Sequence, residues 1–161
     1  MSAGASGPTR EHPGARAALL LLTILALAGC AGVLETPPAA TPADFPGIAG
    51  ELARRGISVD RIASGDAGCQ DPELARTAIR FGAAGLDQAS TVTLYVYIFR
   101  DRATYDRRRQ AVDACARAYV TDPQALGSID ASPFVLVGQG PWAPRFAAAL
   151  RAGMTAAAAL P

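Results

Sequence analysis

The sequence predicts an α+β domain, a two-layer sandwich with helices on one face of a mostly antiparallel sheet of about four strands. Three observations lead there. Thr91 to Phe99 alternates strictly and is rich in β-branched and aromatic residues. The segment after it, about 102–120, carries apolar residues at helical spacing. Shorter periodic segments around these two complete the order α-β-β-β-α-β-α.

Taken in chain order, Asp44 is placed to cap a first helix, because Pro46 then falls harmlessly in its first turn. Phe45, Ile48 and Leu52 share one face of that helix, and Gly56 is placed to end it. Ile57 to Ile62 alternates in part and reads as a strand. Ser64 to Gly68 is a turn, and Asp71-Pro72 opens a short helical turn with proline at its first position. Thr77 to Ala83 reads as a second strand, since Ile79 and Phe81 flank Arg80; Gly85 to Ser90 then links it to Thr91–Arg100 as a hairpin.

That third strand puts Val92, Leu94, Val96 and Ile98 on one face and Thr93, Tyr95, Tyr97 and Phe99 on the other. Asp101 caps the long helix, whose buried face holds Tyr105, Val112, Cys115, Ala116 and Tyr119. Asp122-Pro123 ends it. Phe134 to Val137 is a short, fully apolar fourth strand, and a helix–strand unit here is compatible with a right-handed parallel crossover from the third. Gly138-Gln139-Gly140-Pro141 turns into a last helix lined by Phe146, Leu150 and Met154.

Ahead of the domain lies a different kind of sequence. Ala17 to Gly29 is apolar except for Thr23, behind a segment carrying Arg10 and Arg16. As a helix this run would rise roughly 20 Å, too little for a hydrocarbon core of about 30 Å. A run of this length behind basic residues fits a secretory signal. It closes on Leu27-Ala28-Gly29-Cys30, which resembles the lipobox of bacterial lipoproteins. The resemblance covers about the first thirty residues and implies cleavage before Cys30, acylation of its thiol, and a chain anchored by lipid on the extracytoplasmic side of the cell membrane. The division of the chain follows: a signal peptide over 1–29, a tether over 30–43 and the folded domain over 44–158. With its prolines the tether spans up to about 40 Å when extended.

Composition bears on function. All fifteen basic side chains are Arg, and loss of 1–29 would remove Arg10, Arg16 and Glu11, leaving thirteen Arg against thirteen acidic residues. This balance leaves no electrostatic footprint for nucleic acid. The cluster of Arg100, Arg102, Arg107, Arg108 and Arg109 is interleaved with Asp106 and Asp113 at helical i,i+4 spacing, which reads as a solvated face. The one histidine, His12, lies in the leader, so the mature chain has no imidazole for a general base, a triad or a metal site. Gly138-x-Gly140 lacks the remaining glycine and lysine signatures of phosphate loops and reads as a tight turn; Trp142 beside it reads as a packing plug.

Cys69 and Cys115 remain, and in an exported domain an isolated pair is most simply a disulfide. Two free or redox-active thiols are the rival reading, without a Cys-x-x-Cys motif to support it. No catalytic set, metal ligand group or cofactor signature is legible, and a non-enzymatic role is expected. The suggested binding surface is the second face of the sheet, where Tyr95, Tyr97 and Arg80 would form an aromatic and polar patch if no helix covers it. The expected function is therefore that of a membrane-anchored envelope lipoprotein binding a small-molecule ligand or another envelope protein. A hydrolase using an Asp pair, and a scaffolding subunit of an envelope complex, are the alternatives.

Overall fold

A computed structural model describes residues 44–159. The predicted leader, the tether and Cys30 lie outside the described residues. Within them the order is α1 (Phe45–Ala53), β1 (Ser58–Ser64), α2 (Pro72–Ala75), β2 (Ala78–Gly85), β3 (Gln88–Ile98) and α3 (Arg102–Tyr119). A 3₁₀ turn (Pro123–Ala125), β4 (Leu126–Ala131), β5 (Phe134–Gln139) and α4 (Pro144–Ala158) follow. The domain is α+β, with one open antiparallel sheet of five strands in the order β1-β2-β3-β5-β4.

Helix starts follow local chemistry. The carboxylates of Asp44, Asp71 and Asp101 accept hydrogen bonds from the first-turn N–H groups of Gly47, Leu74 and Thr104 at 2.7, 3.0 and 2.7 Å. A carboxylate also serves α4 from outside its own chain segment. Asp87, at the β2–β3 turn, accepts from the backbone N–H of Arg145 and Phe146, both at 2.9 Å. The start of the last helix is thereby tied to the tip of the hairpin.

Three expectations need correcting. First, there are five strands, not four. Leu126-Gly127-Ser128-Ile129-Asp130-Ala131 has weak strand propensity, and its two large apolar residues are three apart. Its pairing with β5 makes it a strand. Second, the parallel crossover is absent. The chain leaves α3, lays β4 on the far edge, and turns at Ser132-Pro133 so that β5 enters beside β3 in the antiparallel sense. Third, β3 begins at Gln88, because the hairpin turn is only Leu86-Asp87, with Gly85 paired to Gln88 and both Gly85 and Leu86 at positive φ.

The layers also differ from the expected sandwich. On one face Leu94, Val96, Phe81, Ala83, Phe134 and Leu136 pack against Ile48 and Leu52 of α1 and Phe146, Leu150 and Met154 of α4. On the other, Tyr95, Tyr97, Val135 and Val137 pack against Tyr105, Val112, Cys115 and Ala116 of α3 and Leu74 of α2. Helices therefore cover both faces of the sheet's centre. The cause lies in β3, whose second face carries rings too large to leave in water. No helix among the described residues is long and apolar enough to cross a membrane.

Leu136 is fully enclosed and pairs with Val96 and Ile129 across the sheet. Replacing it by Ala should cost about 2–5 kcal/mol, read as a shift of the urea midpoint at unchanged slope. A loss well under 1 kcal/mol would contradict this packing.

Candidate functional site

The two cysteines form a disulfide with Cα atoms 5.4 Å apart and a sequence separation of 46. Cys115 is buried on α3, while Cys69 lies in the loop from Gly65 to Asp71 and is half-buried. The bond is one of four ties holding that loop. Tyr97 donates its hydroxyl proton to the carbonyl of Ala67 at 2.7 Å. Arg80 meets the carboxylate of Asp66 at 2.6 Å, and Asp66 in turn accepts from the N–H of Gly68. Arg108 donates to both oxygens of Asp71 at 3.0 and 2.9 Å.

This arrangement accounts for the three residues proposed from the sequence as a binding patch. Arg80 does stand opposite Tyr95 in the β2–β3 ladder. The patch is nonetheless closed. Tyr97 is wholly enclosed and Tyr95 only 9% exposed, its ring 4.2 Å from that of Tyr119 on α3. Gly68, at φ 73°, brings the loop down on the same rings, where a Cβ would lie 2.4 Å from Tyr119. Burial pushes the Tyr97 phenol up to about 12 and raises those of Tyr95 and Tyr119 as well, so all three stay protonated. Tyr95 and Tyr97 are thus covered by α3 and this loop, and Arg80 is paired with Asp66.

A second polar group was missed by sequence reasoning because its members come from two elements brought together only by folding. Arg109 of α3 reaches down to β4, where it meets both oxygens of Asp130 and donates to the Ser128 hydroxyl at 3.2 Å. It also meets Asp113 of its own helix at 2.6 Å. The hydroxyl of Tyr105 donates to Asp130 at 3.0 Å. The Arg109 guanidinium, with the Tyr105 hydrogen bond, holds the Asp130 carboxyl below its ordinary range, and those carboxylates raise the pKa of Arg109. The expected solvated face is therefore correct for Arg102 with Asp106 but not for Arg108 and Arg109, which tie α3 to the loop and to β4.

Asp130 also borders an open cleft of about 350 Å³ lined by Arg102, Ala131, Ser132, Thr155 and Ala158. It lies where the β4–β5 turn meets the start of α3 and the end of α4. A smaller opening of about 310 Å³ lies over the disulfide, between Gln70, Asp71 and the Ala111–Ala114 stretch of α3. The first has a cation, a carboxylate and two hydroxyls at its rim, a set suited to a small polar ligand or a polar side chain of a partner.

Among the described carboxylates, every one whose pKa departs from its ordinary value departs downward: Glu51, Asp71, Asp87, Asp101 and Asp130. No group of His, Cys, Asp and Glu able to hold a metal ion occurs among the described residues. Trp142 is the plug anticipated, its Nε1 donating to the carbonyl of Gln139 at 3.0 Å and its ring lying where a Cβ on Gly127 would fall, 2.5 Å away. No family model matches the chain, and no curated protein or solved structure matches it significantly.

Two measurements test this frame. Reducing the disulfide should destabilise the domain by roughly 4 kcal/mol in the chain-entropy picture, whereas Tyr97→Phe, which strands the Ala67 carbonyl, should cost about 1–3 kcal/mol; denaturant titrations read both. The N-cap carboxyl of Asp101 is held down to about 2 by the N–H of Thr104. An ordinary aspartate titrates near 3.9, so its contribution is complete above about pH 4 and disappears as pH falls through 2. Asp101→Asn should flatten that part of the acid-unfolding curve; an unchanged acid limb would count against the cap.

Proposed function

We propose that this chain is an envelope lipoprotein, tethered through acylated Cys30 to the extracytoplasmic face of a cell membrane, whose domain binds a partner protein or a small polar ligand without catalysing a reaction. The observation that carries the reading is the Cys69–Cys115 disulfide. Structural disulfides persist in oxidising compartments and are rare where thiol reductants are abundant. A signal ending in Leu-Ala-Gly-Cys would deliver the chain to such a compartment.

Binding then falls to the cleft beside Asp130, since the aromatic sheet face is covered. The Asp-pair hydrolase alternative draws no support from these carboxylates. A general acid of that kind needs a raised pKa, and the shifted ones here all move the other way while capping helices or pairing with Arg.

Intact-mass analysis of protein from membranes should show a chain beginning at residue 30 and carrying lipid. Cys30→Ser should leave the leader attached and abolish acylation, while Cys69 and Cys115 resist alkylation unless reductant is added. A full-length chain with an unmodified Cys30 thiol would remove the anchor and the location together.

A further inference from the structure

The two edges of the sheet are built differently. Along β1, Arg61 and Ile62 together face the single residue Phe81, a bulge in which Arg61 takes φ 47° and stands with Asp60 in solvent. Bulges and charges of this kind keep a strand edge from pairing with another chain. β4 has neither a bulge nor a proline, and its register with β5 is unbroken from Leu126 to Ala131. Its one charge, Asp130, is neutralised by Arg109. The two-residue turn at Ser132-Pro133 makes Ala131 and Phe134 the closing pair. Hairpin geometry then turns the N–H and C=O of the alternate residues Ser128 and Asp130 away from β5, toward the edge that no other described strand pairs.

We propose that β4 pairs antiparallel with β4 of a second copy of this chain, joining two sheets into one of ten strands about a two-fold axis at Ile129. Pleating admits only registers that place like-facing residues opposite each other. With the axis at Ile129, Gly127 of one copy faces Ala131 of the other, both small. Ser128 faces Asp130 of the second copy on the side where Arg109 already donates to both side chains. The polar network of each copy therefore meets its own counterpart, hydroxyl against carboxylate. A shift of the axis to Ser128 would set Asp130 against the apolar Leu126 instead. The pairing is isologous, and so closes at two copies. It is independent of the lipid anchor.

The test uses the full-length protein in excess detergent, with light scattering for mass and hydrogen exchange for the amides. Mass should double with rising protein concentration, and exchange at the Ser128 and Asp130 amides should slow by about tenfold in parallel, while the β1 edge stays unchanged. Ser128→Pro removes an outward N–H without touching the β5 ladder and should hold the protein monomeric with its disulfide intact. Where that variant fails to fold, the exchange measurement on the wild-type chain decides. A wild-type chain monomeric at every concentration overturns the proposal, whatever else binds that edge. So does a dimer that survives in folded Ser128→Pro, or whose formation leaves exchange at Ser128 and Asp130 unaltered.

Discussion

A strand with large apolar groups on both faces has to be sealed twice, and β3 is such a strand. Leu94 and Val96 on one side and Tyr95 and Tyr97 on the other are all buried. Fully enclosing a ring or branched side chain is worth roughly 1.5–3 kcal/mol, so each face of β3 favours a covering layer strongly. The first face takes α1 and α4, the second takes α3 and the loop before α2. The other strands extend this centre, and the helices are placed by the need to close over it.

Sealing the second face raises a polar problem that the first does not have. Each tyrosine carries a hydroxyl into the interior. Tyr97 finds the Ala67 carbonyl, and the loop bearing that carbonyl must then be held in place. The disulfide, the Arg80–Asp66 pair and the Arg108–Asp71 fork all act on that same short stretch of chain. Three of these ties are part-exposed ion pairs or single hydrogen bonds, each of modest worth alone. The covalent bond acts on the unfolded chain as well. That staple holds an irregular segment against the sheet face where all four tyrosines gather.

Arginine takes an unusual share of the organisation. With no lysine in the chain, every cationic contact uses the planar guanidinium fork, which can hold two carboxylate oxygens at once. Arg109 uses it to span helix and edge strand, and Arg108 to span helix and loop. Two arginines of the cluster that resembles a basic patch in the sequence are thus turned inward on carboxylates, and through them α3 is tied to the loop and to β4.

Elements with a strong local cause were legible in advance. The Asp44 and Asp101 caps, the alternation through Thr91–Phe99 and the helical spacing of Phe146, Leu150 and Met154 act within a few residues and emerge as read. The cysteine pair was legible by count. β4 was not, because Gly127, Ser128 and Asp130 have no strand preference of their own. Its place comes from β5 alongside, from the Trp142 ring filling the space above Gly127, and from Arg109 across the gap. The proposed tyrosine patch was misplaced for a related reason. Alternation shows that Tyr95 and Tyr97 share a face, but whether a face is wet depends on where a distant helix lands.

The sequence by itself determined which segments are helix or strand where periodicity and capping agree, which residues share a face, and which two thiols remain to pair. The tertiary structure alone decided that both faces of the sheet are covered, that an extra strand forms one edge, and that arginines of one helix hold carboxylates far away in sequence. The physical reason is range. Backbone capping and periodicity act over one or two turns, whereas burial and ion pairing depend on which surfaces meet, and that is settled only when the whole chain has closed.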